Sequence, residues 1–259
     1  MKIISQIIII LFLLSSNSFA EDFVVKWDSK EGLGRLSNSQ YKNDFYQMAE
    51  HFQPQINPVY CAIASSVIIL NTLYDGQEIA NQKDLSVAKP KAFGGGDMEF
   101  KSYSQLTFLN EKTDKVKDRK IIHLKNITPE NENDAKSFDP GLSLKQLADI
   151  LKIYQLKTKI HYAKSIDQQS LDSFRKELKT ILVEDKKFLM ANFDTKVLGL
   201  KSDGHLSPIA AFDEKSDSVL VLDVAGHKRG WYFVSVLDLL KAMNTKDGET
   251  YRGYLVVSK

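Results

Sequence analysis

The only cysteine of the 259-residue chain, Cys61, is the residue whose surroundings most clearly indicate chemistry. A loop that contains Pro54 and Pro58 precedes it, and mostly apolar or small residues follow it from 62 to 73. Proline interrupts helices and the apolar run is long, so the pattern predicts a buried helix that begins at Tyr60-Cys61. The free N–H groups at a helix start favour negative charge, which lowers a thiol pKa. Cys61 is therefore a candidate thiolate nucleophile.

A buried structural cysteine is the alternative interpretation, because free cysteine is among the most buried residue types. One cysteine allows no intramolecular disulfide. A free thiol in an oxidising compartment is a liability unless it is buried or used. The residues that could act with the thiol therefore decide between the two interpretations.

A thiol nucleophile needs an imidazole that transfers protons and a third group that orients the imidazole. His205 starts an apolar run that continues to Phe212, and Asp223 lies near the end of the next run, from Val219 to Val224. If the two runs pair as a hairpin, both side chains lie at the same end of the sheet. The other histidines lie in settings more typical of surface or structural residues: His51, His123, His161 and His227. Cys61, His205 and Asp223 thus form a candidate triad.

Acyl transfer also needs hydrogen-bond donors for the oxyanion of the tetrahedral intermediate. The backbone N–H of Cys61 is one candidate. A side-chain amide from the preceding loop is the other, and both Gln53 and Gln55 lie close enough in sequence. The residues alone leave these two open.

The distribution of elements predicts an α+β fold, since helical patterns dominate first and strand patterns last. Ser143 and Gln146 have capping-box form at the start of an amphipathic helix. Five strand-like runs lie in the second half, at 188–193, 205–212, 219–224, 231–236 and 251–257. We expect one catalytic domain over 21–259, with a helical lobe of roughly 21–140 and a sheet lobe of roughly 141–259.

The first twenty residues are typical of a cleaved signal peptide. Met1-Lys2 is positive, residues 3–14 are largely apolar, and Ser18-Phe19-Ala20 fits a cleavage site. An uncleaved anchor is the alternative, although the apolar run is short for a membrane span. The pattern predicts export to the periplasm or the medium, with no membrane contact in the mature form. The net charge of +2 gives no reason to expect a nucleic-acid partner, and the sequence is compatible with a homodimer.

Several of these motifs together resemble the core of phytochelatin synthases, most closely the short bacterial members that lack a cysteine-rich C-terminal half. The resemblance covers roughly Ser29 to Lys259 and rests on segments in the same order. The segments are 55–64, 108–113, 141–147, 204–211, 222–224 and 242–245.

The resemblance implies a papain-like fold and transfer of γ-glutamylcysteine from glutathione, with release of glycine. It assigns Cys61 as nucleophile, His205 as acid and base, Asp223 as its orienting group and Gln55 as the oxyanion donor. Tyr60 and Lys228 match residues that line the substrate site of the family, and a lysine can pair with a glutathione carboxylate. No cofactor is implied for acylation. Cadmium or zinc would enter as a metal–glutathione thiolate substrate, and no metal site is expected in the protein.

Two departures from the family pattern lie close to the expected substrate site. The family often has an arginine where this chain has Thr195, and an aromatic, proline-rich stretch where it has residues 226–231. We therefore expect hydrolysis of glutathione to exceed chain extension. The alternatives are a papain-like peptidase or amidase for other periplasmic peptides, a heavy-metal binding protein and an inactive structural module. The lack of a thiolate cluster argues against metal binding.

Overall fold

The computed structural model describes most of the chain in separate ranges: residues 23–75, 82–88, 92, 94–95, 97–100, 102–119, 141–201 and 204–259. The predicted signal peptide and the predicted boundary between the lobes near residue 140 lie outside these ranges. Among the described helices, none combines the length and apolar character that crossing a bilayer would need.

An antiparallel sheet forms the centre of the fold. The described strands, in chain order, are β1 (Val24–Lys26), β2 (Gln82–Ala88), β3 (Asp97–Phe100), β4 (Lys157–Tyr162), β5 (Lys187–Asp194), β6 (Gly204–Asp213), β7 (Ser218–Val221), β8 (Tyr232–Ser235), β9 (Lys246–Asp247), β10 (Thr250–Tyr251) and β11 (Gly253–Ser258). In the described part of the chain, seven strands share the main sheet, in the order β1-β8-β7-β6-β5-β11-β4. The remaining strands form two small ribbons, β2 with β3 and β9 with β10.

Helices pack on both faces of the main sheet. They are α1 (Lys30–Asn38), α2 (Asn43–Glu50), α3 (Cys61–Leu73), α4 (Leu144–Ile153), α5 (Gln168–Ile181) and α6 (Val236–Met243). Helices α3 and α4 share an apolar core with sheet residues such as Met190 and Leu255. Helices α5 and α6 share a second core with Leu189 and Val256, which alternate with the first set along the strands. This mixture of helices and antiparallel sheet confirms the predicted α+β class.

The local predictions that matter most for the site agree with the structure. Helix α3 begins at Cys61 after an N-cap at Tyr60, as the proline loop predicted. Ser143 and Gln146 form the predicted capping box at the start of α4. Strands β5, β6 and β11 fall within one or two residues of the predicted runs. The helix that carries the thiol and the central strand that carries the imidazole were therefore both predictable.

Strand β7 is shorter than predicted, because the pairing of β6 with β7 contains an irregularity. The ladder skips between Ile209 and Ala211 of β6, and the Leu222 N–H bonds instead to the carbonyl of Pro208, at 3.0 Å. A bulge of this kind bends the strand, and past it the pairing extends only through Val221 and the Leu222 N–H. Asp223 therefore lies just beyond the strand end instead of within it.

Candidate active site

Helix α3 places Cys61 beside the start of β6. Residues 62–70 of the helix are buried all round, so α3 runs through the core instead of along the surface. The Ser65 hydroxyl donates a hydrogen bond to the Leu206 carbonyl at 3.1 Å, which fixes the first turn of α3 against β6. Tyr60 contributes no side-chain cap, so the first N–H groups of α3 are not satisfied by its side chain. Cys61 itself is partly exposed.

The hairpin of β6 and β7 brings His205 and Asp223 together, as their strand positions predicted. The Nε2 atom of His205 lies 2.9 Å from Oδ1 of Asp223. The Ala225 N–H donates to the same oxygen at 2.8 Å. Asp223 is fully buried, and His205 is nearly so. The contact of Nε2 with the carboxylate leaves Nδ1 as the ring nitrogen for a thiol partner.

The thiol and the imidazole shift each other's pKa towards an ion pair. Burial would raise the pKa of Cys61, but the hydrogen bond and the charge of His205 lower it below its ordinary value. Burial would likewise lower the pKa of His205, but the charge and hydrogen bond of Asp223, and then the contact with Cys61, raise it to about 9. These shifts favour a thiolate beside an imidazolium, and such a pair can attack an acyl carbon and protonate the leaving group.

Two further side chains contact His205 or Asp223, and the sequence analysis missed both. Ser207 Oγ lies 2.9 Å from Nε2 of His205 and accepts the Val224 N–H at 3.3 Å. Arg229 Nε donates to Oδ2 of Asp223 at 2.6 Å. Alternation along a strand places residues two apart on the same side, so the position of Ser207 was a usable signal. Arg229 lies in the loop after β7, and only its proximity to Asp223 in sequence could have suggested it.

The structure separates Gln55 from Gln53, the two candidate amides of the proline loop. The Gln55 N–H bonds to the Val224 carbonyl at 2.8 Å, directly after Asp223, whereas the Gln53 side chain accepts from Gln105. The Gln55 side-chain nitrogen donates to two loop carbonyls at 2.9 Å each. Both amide hydrogens are thus engaged, so donation to an oxyanion would require one of these bonds to open.

Tyr60 and Lys228, the predicted substrate-site residues, lie on opposite sides of the triad in sequence. Tyr60 is buried at the start of α3, and burial raises its pKa. Lys228 follows Asp223 in the loop between β7 and β8, where its N–H bonds to the Ala225 carbonyl at 2.8 Å. It lines a surface cavity of about 700 Å³ together with Gly199, Leu200, Lys201 and Arg229. Thr195, the position of the first departure, is fully buried.

A polar cluster that the sequence analysis did not identify adjoins the start of β6. Arg252 Nη1 donates to the Asn192 side-chain oxygen at 2.9 Å, and the Asn192 amide donates to Asp247 at 3.2 Å. Gly204, directly before His205, lets the guanidinium pack on its backbone, since a Cβ there would lie 2.4 Å from Arg252 Nη1. A guanidinium and a carboxylate in one cluster match the two charges of an amino-acid end group.

The groups that converge on β6 supply what nucleophilic acyl transfer requires. These groups are a thiol at Cys61, an imidazole at His205 and the carboxylate of Asp223, which contacts the ring. Within the ranges that the structure covers, no three His, Cys, Asp or Glu side chains come together as ligands for a metal ion.

Comparison with known proteins gives one family and a set of distant relatives. A family model described as Phytochelatin synthase matches residues 16–254. Glutathione gamma-glutamylcysteinyltransferase of Schizosaccharomyces pombe is 24% identical over 226 residues, which is 86% of this chain and 44% of the relative. Glutathione gamma-glutamylcysteinyltransferase 1 of Lotus japonicus is 24% identical over 242 residues, 93% of this chain and 40% of the relative. The chain therefore spans less than half the length of these curated relatives.

Proposed function

The chain belongs to the phytochelatin synthase family, and from that premise we propose that it cleaves the Cys–Gly bond of glutathione through an acyl-enzyme on Cys61. The observation that carries the proposal is the buried contact of 2.9 Å between His205 and Asp223, next to a thiol whose pKa is lowered. The relatives are named as glutathione gamma-glutamylcysteinyltransferases. A papain-like arrangement, with the thiol on a helix and the imidazole on a sheet, is part of the proposal.

In this mechanism the Cys61 thiolate attacks the carbonyl carbon of the Cys–Gly bond. The resulting oxyanion takes hydrogen bonds from the Cys61 N–H and from Gln55, once its amide is released from the loop. The His205 imidazolium then gives its proton to the glycine nitrogen, the C–N bond breaks, and γ-Glu-Cys stays on Cys61 as a thioester. Asp223 holds the ring in the orientation that both steps need.

The second half-reaction decides the product. Neutral His205 takes a proton from water, which attacks the thioester and releases γ-Glu-Cys. If the amino group of a second glutathione attacks instead, the product is a phytochelatin. The buried Thr195 and the loop of residues 226–231 replace family features near the acceptor, so we propose that hydrolysis is the faster branch.

The charged ends of glutathione match charged groups on either side of the triad. The cluster of Arg252, Asn192 and Asp247 adjoins His205 and would hold the α-carboxylate and α-amino group of the γ-glutamyl end. Lys228, on the loop after Asp223, would pair with the glycine carboxylate, and Tyr60 would contact the substrate beside Cys61. In this assignment cadmium or zinc arrives on the glutathione sulfur and is part of the substrate.

Incubation with glutathione, with and without cadmium or zinc, tests the proposal when the products are resolved by mass spectrometry. We expect glycine and γ-Glu-Cys as the main products and phytochelatin as the minor one. Cys61→Ala should abolish all three, and any remaining product would contradict the mechanism. A protein that ignores glutathione but cleaves other peptides would instead support a peptidase or amidase.

Export is the remaining part of the proposal. Its support is the sequence pattern of residues 1–20. Fractionation of expressing cells should recover the enzyme outside the cytosol, with an N-terminus at Glu21. Recovery of the intact leader in the membrane fraction would point to an uncleaved anchor.

A further inference from the structure

The side chain of Arg229, in the loop between β7 and β8, turns back onto the triad. The loop is tight, since the N–H groups of Lys228 and Arg229 both bond to the Ala225 carbonyl, at 2.8 and 3.1 Å. The Arg229 side chain is only 13% exposed and its Nε donates to Asp223 Oδ2 at 2.6 Å. Its Nη2 atom is buried and has no hydrogen-bond partner among the described residues. The half-buried guanidinium is thus held by a charge-assisted hydrogen bond to the Asp223 carboxylate.

We propose that Arg229 is a positioning residue of the triad, which fixes the Asp223 carboxylate and supplies part of the positive potential at Cys61. This role rests on the proposed function of Cys61, His205 and Asp223. The two carboxylate oxygens of Asp223 have separate partners. Oδ1 contacts Nε2 of His205 and accepts the Ala225 N–H, while Oδ2 accepts a hydrogen bond from Nε of Arg229. Without the guanidinium, Oδ2 would lose its charged partner in a fully buried position, and the carboxylate could rotate away from His205.

The charge of Arg229 also acts on the triad. It is one of the groups that lower the pKa of Asp223 to about 2. Tyr232 of β8 also faces this carboxylate, but burial raises its pKa well above 10.0, so it stays neutral. Lys201 and Lys228 line the cavity on the outer side of the guanidinium. Loss of one positive charge here makes the proton of Cys61 harder to remove, so the pKa of the thiol should rise.

Three variants test this role: Arg229→Gln, Arg229→Lys and the matched control Arg175→Gln. Arg175 also pairs with a carboxylate, Asp217, through Nε at 2.8 Å. That pair lies on α5 and the turn after β6, away from the triad. The main readout is the rate of Cys61 alkylation by iodoacetamide as a function of pH, which needs no glutathione. The second readout is glycine release, with kcat and KM measured separately.

In Arg229→Gln we expect the midpoint of the alkylation rate against pH to rise by about 0.5 to 1 pH unit, because a positive charge is lost. Its kcat should fall about 10- to 100-fold with little change in KM. Arg229→Lys keeps the charge but not the planar donor group, so its profile should stay in place while kcat falls several-fold. Arg175→Gln should lower only the melting temperature.

An unshifted alkylation profile in Arg229→Gln, with kcat lowered only as much as in Arg175→Gln, would reduce Arg229 to a structural residue. If Arg229→Gln does not fold, Arg229→Lys still decides, since a lysine variant with wild-type kcat would overturn the positioning role. A wild-type protein that does not cleave glutathione, but whose alkylation profile shifts in Arg229→Gln, would refute the proposed function and leave the role of Arg229 intact.

Discussion

Asp44 and Asp223 are both fully buried, and their surroundings differ completely. Asp223, after β7, contacts His205, Ala225 and Arg229, and these partners outweigh burial and lower its pKa to about 2. Asp44, in the first turn of α2, has no hydrogen-bond partner for either oxygen within the described chain. Burial alone raises the pKa of Asp44 to about 8. Partners, and not depth, therefore decide whether a buried carboxylate carries charge.

The same difference separates function from stability. A charged Asp223 can hold an imidazolium next to Cys61, because its own charge is satisfied by the groups around it. Asp44 stays protonated near neutral pH and offers no charge to any neighbour, so it lowers stability without an evident catalytic use. A change at Asp223 should therefore affect catalysis, and a change at Asp44 should affect stability.

Asp223→Ala should lower activity far more than any change at Asp44. The loss of the carboxylate at Nε2 frees the imidazole to rotate and removes the charge that raises its pKa. We expect kcat for glycine release to fall about a thousandfold. The kcat of Asp223→Asn should fall less, since its amide oxygen can still accept a hydrogen bond from Nε2. Asp44→Asn is the control, and a similar loss in that variant would show that the two carboxylates are not distinct.

Asp44→Asn should instead change the pH dependence of stability. The folded protein keeps the Asp44 proton up to about pH 8, whereas the unfolded chain releases it near 3.8. The folded state therefore binds more protons in this window, and the free energy of unfolding falls as pH rises, by up to about 1.4 kcal/mol per unit. The variant should be about 2 kcal/mol more stable at pH 8, because it has no proton to lose in this range. The gain is not larger because the buried amide still lacks partners. Urea unfolding at pH 5 and pH 8 measures the difference.

The acid side of the stability profile should show the opposite sign for Asp223. Its pKa is lowered to about 2, so its contribution is complete above the unfolded value and is lost as pH falls from about 4 towards 2. Asp44→Asn should keep this acid decline, and Asp223→Asn should reduce it. Equal acid declines in the two variants would contradict the assignment of the charge to Asp223.

Cys61→Ser should show which partner sustains the charge of His205. The influence of Asp223 on the raised pKa of His205 exceeds that of Cys61. Removal of the thiolate should therefore lower the pKa of His205 by about 1 pH unit and leave it above 6.5. Proton NMR of the imidazole ring measures this directly. A value at or below 6.5 would mean that Asp223 does not act as its main partner.

The sequence was sufficient for the parts of the site that follow from local patterns. Proline followed by an apolar run marked the start of α3 at Cys61. Polar residues at the start of one apolar run and near the end of the next marked His205 and Asp223. Each of these signals comes from neighbours along the chain. The α+β class followed from the same patterns. Asp44 could not have been recognised as buried, because an acidic residue in the first turn of a helix is usually exposed.

The rest of the site depends on contacts between distant segments. Arg252 reaches Gly204 only because β11 lies next to β5 and β5 next to β6, an order that sequence patterns do not give. Arg229 reaches Asp223 only through the tight turn at Ala225. The length of β7 was wrong because a bulge in β6 has no distinct sequence signature.

Ser207→Ala should give the smallest effect, and it tests whether a neutral group also supports the His205 imidazole. Ser207 Oγ contacts His205 Nε2 and accepts the Val224 N–H, so its loss removes a contact to the imidazole and leaves one N–H without this acceptor. We expect a loss of about 1 kcal/mol in unfolding free energy and a several-fold loss in kcat. Ser66→Ala removes an equally buried hydroxyl that bonds only to the Ala62 carbonyl of its own helix. The Ser66→Ala variant should lose stability without changing the pH dependence of Cys61 alkylation. A change in that pH dependence in Ser207→Ala alone would show that the Ser207 hydroxyl acts on the imidazole. Equal pH profiles in the two variants would show that it does not.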